Sequence, residues 1–115
     1  MYRFSYSEIL EDAPQLARER ERTAFDRALH LLRSAEAKDE TGAERIAAVA
    51  FVQDLWNVLI RDLLDPENAL PDALKADLVS IGVWIMREGG AVLSAPERSL
   101  TALIEVNTSI RDGLQ

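Results

Sequence analysis

The chain has 115 residues, 48% apolar and 29% charged, with 20 acidic residues against 13 basic ones and a net charge of −7. That is enough for one folded core and too apolar for a disordered chain, and the absence of cysteine excludes disulfides and thiolate metal sites. Acids exceed bases in both 1–40 and 41–115, which disfavours phosphate-dominated binding of nucleic acid, and no uncharged run of about 18 apolar residues suits a membrane span.

Residues 1–13 read as an N-terminal extension and 14–115 as a single domain. The extension lacks a basic stretch followed by an apolar one, so it does not read as a signal peptide, and the cytoplasm is the expected location. Tyr2, Phe4 and Tyr6 alternate. An extended backbone puts three such rings on one side, where they dock either on the chain's own bundle or on a partner.

Asp12 is placed to cap a first helix that has Ala13 and Pro14 in its first turn and runs to about Lys38. Ala17, Ala24, Phe25, Ala28, Leu29, Leu32 and Ala35 recur at spacings of three and four, with Leu31 widening the stripe. Thr41-Gly42-Ala43-Glu44 has the pattern of a capping box opening a second helix to about Leu64. Val49, Val52, Leu55, Trp56, Leu59 and Leu63 form its main face. Phe51, Val58 and Ile60 make it apolar over most of its circumference, which places it centrally in a bundle.

Asp65 to Pro71 is a two-proline linker expected to hold a short helical turn. Pro71 then opens a third helix with Asp72 in its first turn. Leu74, Leu78, Ile81, Ile85 and Val92 form the expected buried stripe, widened by Val83 and Trp84. Gly89-Gly90 weakens the end of this helix by about 1 kcal/mol per glycine, so a stop or frayed end is expected there. Ser94-Ala95-Pro96-Glu97 reads as the start of a short fourth helix with Leu100, Leu103, Ile104 and Ile110 inward, ending near Arg111 at Gly113. The fold class is all-α: a small bundle of three longer helices plus a short C-terminal one, with an N-terminal extension.

Chemistry is sparse. The single histidine, His30, has no second His or Cys to complete a metal site, and no serine stands at a nucleophile motif. Asp62 with Asp65, and Asp72 with Asp77, read as surface or first-turn charges, since no Glu-x-x-His motif accompanies them. Arg18-Glu19-Arg20-Glu21-Arg22 alternates in sign. Neighbours three and four apart neutralise one another, and a solvated helix face is the expected reading. The residues predict no enzyme, no cofactor and no metal.

Surplus apolar surface points instead to a protein partner. The candidate binding residues are Tyr2, Phe4 and Tyr6; Leu55, Trp56, Leu59 and Arg61; and Val83 with Trp84. Grooves between helices accept amphipathic helices.

Tyr2-Arg3-Phe4-Ser5-Tyr6-Ser7-Glu8, Arg18-Glu19-Arg20-Glu21, Phe25-Asp26-Arg27, the run Leu55 to Leu63, Pro66-Glu67-Asn68-Ala69-Leu70-Pro71 and Ser80-Ile81-Gly82-Val83-Trp84-Ile85 together resemble the FlaF family of flagellar biosynthesis regulators. The likeness spans nearly the whole chain and is most specific from Trp56 to Trp84. It implies a bacterial cytoplasmic protein that promotes flagellin synthesis or secretion as a flagellin-binding, chaperone-like factor. It also implies action in concert with FlbT, a translational regulator and a further candidate partner. The alternative is a regulator that binds flagellin messenger RNA directly, which would need the arginines at 18, 20, 22 and 27 to form an exposed basic patch.

Overall fold

The computed structural model describes residues 13–38 and 41–113. Four helices follow in order: α1 (Ala13–Ala37), α2 (Ala43–Leu63), α3 (Asp72–Ser94) and α4 (Thr101–Asp112). No strand occurs among the described residues. The expected bundle of three longer helices and a short fourth is the architecture found. The proposed Asp12 cap lies outside the described residues.

The core grows from the predicted stripes of α1 and α2. Phe25, Ala28, Leu32 and Ala35 of α1 meet Ala48, Val49, Val52, Leu55, Trp56 and Leu59 of α2, joined by Ile85, Val92, Leu100 and Leu103. Trp56 is fully buried, with the Phe25 ring edge-on to it at 5.9 Å between centroids and 81° between planes. The helices alternate in direction. Ser34 of α1 bonds Glu44 of α2 at 2.9 Å. Gln53 of α2 donates to the Met86 carbonyl of α3. Arg111 at the end of α4 pairs with Asp26 of α1 at 2.8 Å. α2 packs on α1 and α3, as its apolar circumference predicts, and α1 also carries α4.

Three junctions differ from the sequence reading. First, α2 starts one residue late. Gly42 is its N-cap at φ 81°, a left-handed backbone suited to glycine. The Thr41 hydroxyl accepts from the Ala43 N–H, and Glu44 takes the hydroxyl of Ser34. Second, the linker is a turn rather than a helical turn, closed by the Asn68 N–H on the Asp65 carbonyl at 2.9 Å. Asn68 is buried, and its side chain caps the Asp62 carbonyl at the end of α2. Third, Ser94 ends α3 instead of opening α4. Its hydroxyl bonds back to the Gly90 carbonyl, and the chain turns through residues 95–100 before α4 begins at Thr101.

Gly89-Gly90 does not stop α3, which runs through both to Ser94. A Cβ at Gly89 would lie 2.6 Å from Gln53 Nε2 and 3.1 Å from Val49 Cγ1; one at Gly82 would lie 2.6 Å from Ile60 Cδ1 and 3.2 Å from Trp56 Cε3. The two glycines sit two turns apart on the face toward α2. Their missing side chains let the helices approach closely, and that packing outweighs their poor helix propensity.

Candidate helix-docking face

The expected stripe of α3 is only partly buried. Ile85 and Val92 are in the core, Leu78 and Ile81 are half-buried, and Leu74 is 43% exposed. The reason is the length of α4, which ends level with Asp26 and does not reach the first turns of α3.

A second apolar line on α3 faces outward. Ala76, Val79, Val83, Met86, Gly90 and Leu93 follow one another at alternating spacings of three and four, the signature of a single helix face. All are exposed or half-buried, and a Cβ at Gly90 would meet nothing within 4 Å. On the neighbouring α2, Ile46, Ala50, Gln53, Asn57, Ile60 and Leu64 make the matching line. Three contacts place the lines side by side: Gln53 with the Met86 carbonyl, Ile60 against Gly82, and Leu64 beside Ala76 and Val79. Among the described residues the large apolar side chains most open to solvent are Leu64 at 67%, Ile46 at 60%, Leu74, Val83 and Leu93. All but Leu74 border this α2/α3 seam. Contiguous apolar surface of this kind marks an interaction site, whereas scattered exposed residues do not.

The seam ends in a notch of about 470 Å³ lined by Leu63, Leu64, Asp65, Pro66, Lys75, Ala76 and Val79. Exposed Arg61 and Arg87, half-buried Lys75 and exposed Asp54 and Asp72 stand around the face. An apolar floor with a charged rim suits an amphipathic helix laid along two helices.

The residues singled out from the sequence divide accordingly. Arg61 and Val83 lie on this face. Leu55, Trp56 and Leu59 lie beneath it in the core, so in the free chain they shape the surface without lining it. Trp84 is half-buried against the core on the other flank of α3. Tyr2, Phe4 and Tyr6 lie outside the described residues. In the alternating run, Glu19 and Arg20 are exposed, but Glu21 is fully buried, contrary to a wholly solvated face. His30 is exposed, and no group of three or more His, Cys, Asp or Glu that could hold a metal occurs among the described residues.

Polar groups that the periodicity did not reveal fasten α4. The Trp56 indole N–H donates to Asn107 Oδ1 at 2.8 Å, and the fully buried Asn107 donates to the Leu103 carbonyl. The Glu36 carboxylate caps α4 from α1. It accepts from the Leu100 N–H at 3.1 Å and from the hydroxyls of Ser99 and Thr101. The Ser99 hydroxyl bond, reinforced by Leu100, Thr101 and the charge of Arg45, holds the Glu36 carboxyl below its ordinary pKa against the opposing effect of burial. Buried Glu88 forms a two-pronged pair with Arg98 at 2.8 and 2.9 Å, which likewise lowers its pKa.

Comparison with protein families finds one match over nearly the full chain: the family described as Flagellar protein FlaF, over residues 2–114. No curated protein and no solved structure matches. The chain belongs to the FlaF family, and it is a flagellar protein.

Proposed function

We propose that this FlaF family member promotes flagellin synthesis or secretion by binding flagellin as a chaperone-like factor in the cytoplasm, with FlbT as a further partner. The observation that carries the reading is the α2/α3 seam, a paired line of mostly apolar, exposed or half-buried residues from Ile46 and Leu93 at one end to Leu64 and Ala76 at the other, with Gln53 and Asn57 as polar members. Its physics fits an amphipathic helical segment of an unassembled filament subunit. Such a segment has an apolar stripe that water penalises until assembly covers it, and a two-helix groove can cover it in the meantime.

No helix among the described residues is long and apolar enough to cross a membrane. The acidic excess, with a net charge of −7, gives messenger RNA no matching field.

The test is size-exclusion chromatography with light scattering on the chain mixed with the flagellin of its own organism. A complex of defined mass is expected. Unchanged elution of both proteins at tens of micromolar would remove flagellin as a direct partner and turn the same experiment to FlbT.

A further inference from the structure

The α2/α3 seam is complementary to itself. On α3 the outward line from Ala76 to Leu93 has its midpoint between Val83 and Met86. When a second copy of the helix is laid antiparallel about that midpoint, Ala76 faces Leu93, Val79 faces Gly90 and Val83 faces Met86. Each contact joins a smaller residue to a larger one, which is how facing helix layers interdigitate. The hole for Val79 already exists, because a Cβ at Gly90 would meet nothing within 4 Å.

The line on α2 has the same property. About the midpoint between Gln53 and Asn57, Ala50 faces Ile60, Ile46 faces Leu64 and Gln53 faces Asn57. The apolar pairs flank a central pair of amides. Gln53 donates its amide N–H to the Met86 carbonyl within the chain, which leaves its own carbonyl oxygen to accept from Asn57 of a second copy. A polar pair inside an apolar seam fixes register and number of partners.

The two midpoints stand at one level. Gly82 lies against Ile60 and Trp56, and Gly89 against Val49 and Gln53. The point between Val83 and Met86 is therefore level with Leu55, midway between Gln53 and Asn57, to within about one helical rise of 1.5 Å. A single two-fold axis perpendicular to both helices serves both lines. An axis along the helices fits worse: it lays α2 over α3 of the second copy, where Ala50 meets Gly90 across a gap and Asn57 faces Val83. The lines run for about 26 Å, and two helices at a spacing of 8–10 Å give a face about 18–20 Å wide. Two copies would bury roughly 1,000 Å² in total, the lower limit for a specific interface.

We propose that two copies of this chain associate through their α2/α3 seams, α2 on α2 and α3 on α3, antiparallel about a two-fold axis at the level of Leu55. An interface of this size exchanges readily. On the reading of the seam as a docking face, a partner helix displaces the second copy, so self-association guards the apolar surface only while the protein is free.

Sedimentation equilibrium of the full-length chain alone, from about 5 to 500 µM, is expected to show a reversible monomer–dimer equilibrium and no larger species, since an isologous interface closes on itself. Gly90→Leu separates this from general stickiness. It adds exposed apolar surface but fills the hole for Val79, so association should weaken about tenfold or more with helical content unchanged. The chain has no cysteine, so engineered thiols report the register. A mixture of Ala76→Cys and Leu93→Cys chains in a thiol–disulfide buffer should form the mixed disulfide about tenfold more than either variant pairs with itself, because two copies of position 76 stand about 25 Å apart. A monomer over the whole range, equal or stronger association of Gly90→Leu, or self-pairing of the single variants as efficient as mixed pairing would overturn the proposal. No flagellin enters these measurements, so the docking-face reading and this one can fail independently.

Discussion

The two sides of this bundle are held by different kinds of force. On the α1/α4 side, directional polar groups set the register: the Glu36 carboxylate on the Leu100 N–H and the Ser99 and Thr101 hydroxyls at the start of α4, Trp56 on Asn107, and Arg111 on Asp26. On the α2/α3 side, shape dominates. Gly82 and Gly89 bring the two backbones together, and one side-chain amide, from Gln53 to the Met86 carbonyl, ties the middle of the seam. The difference fits the exposed apolar line that the described residues leave on the α2/α3 side. Helix α4 is short and is anchored by polar caps and a buried asparagine. The α2/α3 pair joins along a narrow glycine contact, which leaves both outer flanks uncovered.

The contrast breaks most severely at Trp56, where the two sides meet. Trp56→Ala should cost about 3–5 kcal/mol through lost packing and cavity formation, with Asn107 Oδ1 losing its donor as well. Urea unfolding followed by circular dichroism measures it. Next comes the glycine contact. Gly89→Val pushes a branched side chain toward Gln53 and the fully buried Val49, and should cost about 1–3 kcal/mol. Gly90→Ala, one residue on, enters open space in a helix interior and should stabilise by up to about 1 kcal/mol. Opposite signs at adjacent glycines would confirm that close approach on the α2 side, rather than helix propensity, governs this stretch.

On the polar side, Glu36→Gln should cost about 0.5–1 kcal/mol at neutral pH, the low part of the capping range because the carboxylate is largely exposed. The pH dependence has a definite sign. The folded state holds the Glu36 and Glu88 carboxyls below their ordinary pKa values. Each therefore contributes stability that is present above the ordinary carboxylate pKa and is lost as pH falls through the lowered one. Unfolding midpoints measured from neutral pH down to about pH 3 should fall, and the Glu36→Gln variant should fall less steeply.

The sequence made the bundle legible because the stripes of α1 and α2 carry large apolar residues at regular spacing, and nearly all of those residues are buried. It misread junctions where the deciding partner is distant in the chain. Ser94-Ala95-Pro96-Glu97 has the local pattern of a helix start, yet α4 starts later, where Ser99 takes the Thr101 N–H and Glu36, about sixty residues earlier, takes the Leu100 N–H. Gly89 reads locally as a helix breaker because its compensation lies on α2. Similarly, Trp56 is a large aromatic on an apolar helix, and periodicity cannot separate a core ring from an interface ring. Only the helix arrangement shows that the open residues of this region are Leu64 and Val83 rather than Trp56 and Leu59. The second line on α3 was present in the sequence as Ala76, Val79, Val83, Met86, Gly90 and Leu93, but its small residues gave a weak signal beside the bulkier inward stripe.

A small expected effect on stability accompanies the largest expected effect on binding. Leu64→Asp with Val83→Asp changes two exposed positions and should shift stability by no more than about 1 kcal/mol in total. Titration calorimetry of flagellin into the unmodified chain and into this double variant tests the central claim most directly. The account predicts measurable binding to the unmodified chain and its loss in a variant that remains folded; equal affinity for both would place the flagellin site elsewhere on the bundle.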